Sequence, residues 1–132
     1  MTAPLLEASG LSKSFGALKV TDDISLDLRP GELHAIIGPN GAGKTTLIDQ
    51  LSGRLPADRG SVHFDGSDIT AITMADRVKR GLARTFQITS ILEGFTVLEN
   101  AALAVQARSG SSFRFFGRAD REGDLNADAL TA

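Results

Sequence analysis

An α/β fold is what this sequence predicts, and three observations carry that expectation. Residues 38–46, Gly38-Pro39-Asn40-Gly41-Ala42-Gly43-Lys44-Thr45-Thr46, match the pattern G-x-x-x-x-G-K-[ST] in full. The run before them, Leu33-His34-Ala35-Ile36-Ile37, reads as a short buried strand, and the run after them, residues 45–51, reads as a helix stopped by Gly53. Ahead of all three, Ile24-Ser25-Leu26-Asp27-Leu28 alternates apolar and polar, the period-2 signature of a half-buried strand. Strand, glycine-rich loop and helix in that order form the core of a P-loop NTPase.

The chemistry of that loop follows from its backbone. Glycine adopts positive φ without steric penalty, so Gly41 and Gly43 can turn consecutive N–H groups inward on a phosphate chain. The first turn of the next helix adds unpaired N–H donors and the positive end of its dipole. Lys44 supplies a point charge for β- and γ-phosphates. Thr45 supplies a hydroxyl for Mg²⁺, a cation held largely by oxygens and water. A dinucleotide-binding fingerprint is excluded, because Gly41-Ala42-Gly43 would need a glycine at 46 and Thr46 stands there.

The remaining elements can be taken in order. Residues 5–9 can form a strand ended by Gly10, and residues 11–16 continue into a turn. A second stretch begins at Val20 and includes residues 24–28. Arg29-Pro30-Gly31-Glu32 is a turn by composition. Two amphipathic, antiparallel strands therefore precede the phosphate loop. Residues 53–60, with Pro56 and Gly60, read as loop. Residues 61–65 read as a strand, which Asp65-Gly66 closes with hairpin chemistry. A short helix is expected near 73–80 with Gly81 as its stop, then a strand over 82–86 leading to Gln87. Residues 96–108 form the clearest amphipathic helix. Thr96 is placed to cap it with Glu99 as capping-box partner, and Val97, Ala101 and Val105 fall on one stripe. Residues 113–132, with Phe113, Phe115 and Phe116 followed by mixed charges, are the start of an amphipathic helix or a flexible tail.

Bulk properties narrow the function. The 132 residues suffice for one domain with its own core. Lys+Arg 14 against Asp+Glu 16 leaves a net charge of −2, which gives no nucleic-acid surface, so anion binding must be local. Absence of cysteine removes disulfides and thiolate metal sites and is compatible with a reducing cytosol. The sequence contains no apolar run of membrane-spanning length, and its first residues are not expected to be a signal peptide, so any membrane link is expected to come through a partner.

At this point the motifs resemble a family, the nucleotide-binding subunits of ATP-binding cassette (ABC) transporters. Residues 38–46 are similar to its Walker A form almost letter for letter. Leu11-Ser12-Lys13-Ser14-Phe15-Gly16 resembles the stretch carrying its adenine-stacking aromatic, and Arg84-Thr85-Phe86-Gln87 resembles its Q-loop. Gly60-Ser61-Val62-His63-Phe64-Asp65-Gly66 is similar to the strand and turn that follow its first helix. Within the family, residues 81–87 with Phe95-Thr96-Val97-Leu98-Glu99-Asn100 resemble branched-chain amino acid importers of the LivG kind, with urea importers close by. The likeness runs over residues 5–108. It implies a partial nucleotide-binding domain over 1–108, and over 109–132 an incomplete helical-subdomain segment or flexible tail.

The resemblance also implies roles. Gly38, Pro39, Asn40, Gly41, Ala42, Gly43, Lys44, Thr45 and Thr46 would hold the nucleotide, with Phe15 stacking on adenine and Val20 packing near the ribose. Thr45 and Gln87 would serve Mg²⁺, with Lys44 and Gln87 contributing to catalysis. By position alone, Phe15 reads rather as an ordinary core or turn phenylalanine and Gln87 as a polar residue ending a strand; the resemblance reverses the reading of Phe15. His34 and His63 have no assigned role. Leu51-Ser52-Gly53-Arg54 is not the family's signature, because it lacks the second glycine and the glutamine. The implied cofactors are ATP and Mg²⁺. The implied partners are transmembrane permease subunits, a second ATP-binding subunit and, indirectly, a solute-binding protein. The implied location is the cytoplasmic face of the membrane, as a peripheral subunit.

The departures are equally specific. The sequence contains no Asp-Glu dipeptide, no signature motif and no switch histidine. The chain is therefore expected to be the N-terminal portion of a longer subunit, keeping nucleotide binding and having little ATPase activity of its own. Two alternatives stand: an importer ATPase for urea or another small solute, and a non-catalytic nucleotide-binding fragment. A GTPase would want an Asn-Lys-x-Asp segment and a small-molecule kinase an arginine-rich lid. The first is absent, and Arg118 and Arg121 are too mixed with acids for the second.

Overall fold

The computed structural model describes residues 2–86 and 91–109. The chain divides into two units, Met1–Arg84 and Thr85–Ala132, and each is taken by itself.

The first unit is built on a four-stranded antiparallel sheet of order β2-β1-β3-β4. Strands β1 (Leu6–Phe15) and β2 (Leu18–Leu28) form a long hairpin in register from Leu6 opposite Leu28 to Phe15 opposite Leu18. Strand β3 (Arg59–Phe64) pairs with the other edge of β1, and β4 (Ser67–Asp68) returns along β3. The turn between β3 and β4 has the expected chemistry: Asp65 and Gly66 take φ of 48° and 73°, the two positive values of a primed hairpin turn.

Gly10 does not end the first strand as expected; β1 runs through it. At φ 62° it creates a bulge, and the β1–β2 register shifts between Ala8 and Leu11. That extra residue changes which parity faces inward. Leu6 and Ala8 are buried before the bulge and Leu11 after it. A strict period of two could not have predicted all three as core.

Helix α1 (Lys44–Ser52) lays Leu47 and Leu51 on this face, where they join Leu6, Ala8, Leu11, Val62 and Ile69 as the buried core. Gly53 ends it in the left-handed region, its N–H donating to Gln50 O at 3.3 Å. Helix α2 (Met74–Lys79) is capped by Thr73, whose Oγ1 accepts from Asp76 N. Arg77 of α2 is 3% exposed. Its guanidinium donates to Gln50 O at 3.1 Å and Leu51 O at 2.7 Å, to Ile72 O at 3.0 Å and to Thr70 O at 3.1 Å. Arg77 thus satisfies carbonyls left open at the C-terminal end of α1 and ties α2 to it. Burial lowers its pKa, an effect that Asp68 partly opposes.

Two expected strands are absent. Residues 33–37 have no regular structure, and Leu33 and Ile37 are 96% and 91% exposed. Residues 82–86 are also irregular. Both runs have apolar strand composition, but no described strand lies beside either. Without a neighbour to take its N–H and C=O groups, an extended segment gains nothing from strand geometry.

In the second unit, helix α3 (Val97–Ser109) begins with the expected capping box. Glu99 Oε2 accepts from Thr96 N at 2.7 Å, and Thr96 Oγ1 accepts from Glu99 N at 3.2 Å. Asn100 donates to the carbonyls of Leu92, Phe95 and Thr96, which closes the approach to the helix. The expected stripe holds at Ala101 and Val105, which are partly covered, and fails at Val97, which is exposed. Residues 87–90 and 110–132, which include Gln87 and the tail, lie outside the described residues.

Candidate functional site

The site is the loop between residue 38 and the start of α1. Ala42 N–H donates to Pro39 O at 3.2 Å, which folds residues 39–42 into a turn. Gly41 and Gly43 then take φ of 84° and 89°, values that a side chain would resist. The helical ladder starts where Leu47 N–H donates to Gly43 O at 2.9 Å. The N–H groups of Lys44, Thr45 and Thr46 precede it and have no acceptor within the helix. Loop glycines and helix start therefore bring backbone donors without a helical acceptor next to the positive end of the dipole.

Lys44 is turned onto the same loop. Its ammonium donates to Gly38 O at 2.5 Å and Pro39 O at 2.7 Å. The cation is thus already placed at the mouth of the loop, held by neutral carbonyls. A phosphate oxygen would be a better acceptor, because it carries a negative charge to attract the ammonium where the carbonyls are neutral. Thr45 lies on the exposed side of the first helical turn.

Val20, on β2, packs directly against this loop. A Cβ built on Gly43 would stand 2.6 Å from Val20 O and 3.3 Å from Val20 Cγ1. Phe15 ends β1 at the hairpin turn and is 51% exposed, with its ring open to solvent. Lys13 Nζ lies 5.7 Å from the ring centroid. The same ammonium donates to Asp58 Oδ1 at 2.7 Å, and Asp58 Oδ2 accepts from Ser14 N at 2.8 Å. These two bonds hold the Asp58 carboxyl below its ordinary pKa, the Lys13 bond contributing most. They also fix the end of β1 that carries Phe15. The structure thus joins Val20 to the glycine loop and puts Phe15 on the same hairpin. Gln87 lies outside the described residues.

For Mg²⁺ the donor set among the described residues is small. Among the described residues no group of three or more His, Asp or Glu side chains could hold a metal. A single hydroxyl, Thr45, fits an ion that keeps several waters and takes its other oxygens from phosphates. His34 pairs with Glu32 at 3.3 Å on the exposed approach to the loop, and His63 lies opposite Asp68 in the sheet.

Residues 21–130 match the family profile described as ABC transporter. A probable ABC transporter ATP-binding protein of Azorhizobium caulinodans is 42% identical over 101 residues, covering 76% of this chain and 36% of that one. A probable branched-chain amino acid transport ATP-binding protein LivG of Methanocaldococcus jannaschii is 42% identical over 99 residues, covering 75% and 38%. A ribose import ATP-binding protein of Streptomyces avermitilis is 39% identical over 127 residues, covering 96% and 24%. Among solved structures, a nucleotide-free ATP-binding cassette from an ABC transporter superposes with a TM-score of 0.77 at 31% identity. That match covers 98% of this chain and 52% of the other. The chain thus spans between about a quarter and a half of the proteins it matches.

Proposed function

This chain belongs to the ABC transporter family, and from that premise we propose that it is the nucleotide-binding part of an importer's ATP-binding subunit. One observation carries the reading: a loop with Gly41 and Gly43 at positive φ leads straight into α1, and Lys44 is folded onto the loop's own carbonyls. On this reading residues 38–46 wrap the phosphates of ATP, and Lys44 exchanges two carbonyl acceptors for β- and γ-phosphate oxygens. Phe15 takes the adenine on its open face, and Val20 supports the ribose and the loop together. Thr45 and Gln87 serve Mg²⁺, which neutralises phosphate charge when bound. Residues 1–108 would form this partial nucleotide-binding domain, with 109–132 as the start of a helical segment or a tail.

The transported solute is proposed to be a branched-chain amino acid. Residues 81–87 and 95–100 support that reading, as do two archaeal relatives named LivG, each 42% identical. The ribose relative and a sulfate/thiosulfate relative of Bordetella pertussis, at 42% identity, favour a broader small-solute importer as the second reading. The partners are transmembrane permease subunits and a second ATP-binding subunit, with a solute-binding protein acting through the permease. The proposed location is the cytoplasmic membrane face. No helix among the described residues is long and apolar enough to cross a membrane. The 132 residues contain no Asp-Glu pair to hold the ion and polarise water, so they are expected to bind ATP without efficient turnover.

The test is a calorimetric titration of the 132-residue chain with MgATP, beside Lys44→Ala. Loss of a bond to a charged acceptor predicts affinity weaker by about 10- to 100-fold, with the thermal transition little changed. Equal affinity of the two proteins would overturn the reading.

A further inference from the structure

The phosphate loop leans on β2 at a place where the strand ladder is interrupted. Thr21 pairs with Lys13 and Lys19 with Ser14, so Val20 between them is an extra residue with no partner on β1. A bulge of this kind disrupts the ladder locally and re-aims the side chain it carries. Val20 is aimed at the loop: its carbonyl oxygen and Cγ1 lie 2.6 and 3.3 Å from a Cβ built on Gly43. Ladder bonds alone therefore do not fix the residue on which the loop rests.

A side-chain bond lies beside that gap. Thr21 Oγ1 donates to Gln50 Oε1 at 3.1 Å, and the two residues are 4% and 2% exposed. The helix end of the bond is firm, because Gln50 O accepts from Arg77 Nη1 at 3.1 Å and from Gly53 N at 3.3 Å. Helical side chains lean toward the N-terminus, so Gln50 reaches back along α1 toward the loop. Gly43 stands seven residues before it, about 10 Å along the axis. The helix and its N-cap thus meet β2 at two points, Gly43 on Val20 and Gln50 on Thr21, which are consecutive residues of the strand.

For stability alone the pair is a poor choice. Gln50 Nε2 is buried and has no hydrogen-bond partner among the described residues. A buried donor without an acceptor is costly, whereas two apolar side chains of similar shape would leave nothing unsatisfied. What the polar pair adds is direction. The apolar contacts of Leu47 and Leu51 in the core are non-directional and tolerate small slides of the helix, but a hydrogen bond has a preferred length and angle. We propose that Thr21 and Gln50 form a registry pair: their bond fixes where β2 lies on α1 and so holds Val20 against Gly43, which makes both of them positioning residues for nucleotide binding. The inference deepens the nucleotide-binding reading above and rests on it.

Thr21→Val with Gln50→Met removes the bond and the orphaned donor together. The expected result is a urea midpoint equal to or above that of the unsubstituted chain. MgATP affinity in calorimetric titration should nevertheless weaken by about 3- to 10-fold, the share of a single hydrogen bond. Thr21→Ser, which keeps the hydroxyl, should retain the affinity. Gln50→Met alone is the second variant should the double one melt too low, and the same loss is expected of it. Exchange of the Leu47 N–H, which donates to Gly43 O at 2.9 Å, reads the same register without nucleotide and should accelerate in either variant. Absence of MgATP binding by the unsubstituted chain would overturn the nucleotide reading and the positioning role with it. Binding of equal affinity in the double variant would overturn the positioning role alone, as would equal weakening in Thr21→Ser. Leu47 exchange unchanged in the double variant would overturn the registry pair itself, whatever the chain binds.

Discussion

Gly43→Ala tests the loop geometry most sharply when set beside Gly41→Ala. Both glycines have φ near 85°, 89° and 84°. Holding a non-glycine residue there costs about 1–3 kcal/mol at either position. Only Gly43 faces an obstacle. A Cβ there would lie 2.6 Å from Val20 O, against about 3.4 Å for ordinary contact, whereas nothing lies within 4 Å of a Cβ on Gly41. Relief therefore demands a displacement of about 0.8 Å, the difference of those two distances. Val20 has no partner in the β1–β2 ladder itself, but its neighbours Lys19 and Thr21 are paired with Ser14 and Lys13, so the displacement is expected to fall mainly on the loop. Moving the loop rotates the N–H groups of residues 43–46 away from a common focus. Losing one or two charge-assisted bonds weakens MgATP binding by about 10- to 100-fold. Gly41→Ala should weaken it by a smaller factor, through backbone strain alone. The assay is calorimetric or fluorescent-nucleotide titration of both variants at fixed ionic strength. Equal loss in the two, or a greater loss in Gly41→Ala, would refute the argument from Val20.

Two further predictions concern stability. Arg77→Met removes four hydrogen bonds, two to the buried carbonyls of Gln50 and Leu51 and two to the part-buried carbonyls of Ile72 and Thr70, of which Gln50 O keeps the Gly53 N–H. Relief from burying a cation offsets part of this, so urea denaturation should show a loss of about 2–4 kcal/mol. A loss below about 1 kcal/mol would mean that the four bonds do no more than offset desolvation. The Glu99 carboxyl has a lowered pKa, from the Thr96 N–H first and the Thr96 hydroxyl second. A carboxyl lowered by folding stabilises above its unfolded value, here 4.5, and the benefit disappears as pH falls through the lower folded value. Amide exchange at residues 98–100 should therefore accelerate below that range beyond the intrinsic pH trend, and Glu99→Gln should abolish the extra acceleration.

Local chemistry was readable in the sequence wherever a few consecutive residues determine it. The phosphate loop, the Asp65-Gly66 turn, the Gly53 stop and the Thr96–Glu99 cap each depend on side chains within a few positions of one another. What escaped depends on distant residues. Arg77 looked like any charged helix residue, because its acceptors at Leu51 and Gln50 are 26 and 27 positions away. The only available signal was the end of α1, whose open carbonyls require some donor. The link from Arg84 to Asp49 spans 35 positions and left no local trace. Gly10 was misread as a stop because a positive-φ glycine serves a strand end and a bulge equally well. The difference lies in β2, which pairs on both sides of it.

Residues 33–37 show the same division and yield a final test. Their apolar composition specifies a strand buried on both faces, yet Leu33 and Ile37 stand in solvent at 96% and 91% exposure. Nothing in the segment is wrong for a strand; the ladder that would hold it is not among the described residues. An exposed apolar segment with unpaired backbone is the kind of surface that pairs with another chain. The 132-residue chain should therefore self-associate as its concentration rises, a tendency read by sedimentation velocity. Leu33→Lys with Ile37→Lys adds two charges to the segment without touching Gly41, Gly43 or Lys44. That double variant should sediment as a smaller species at equal concentration and keep its MgATP affinity. Unchanged association would move the adhesive surface elsewhere, and Val97 and Leu18, at 88% and 66% exposure, are the next exposed apolar residues to substitute. Loss of affinity would show instead that the approach to residue 38 must be ordered before the loop can hold phosphate. In that case the glycines alone would not make the site.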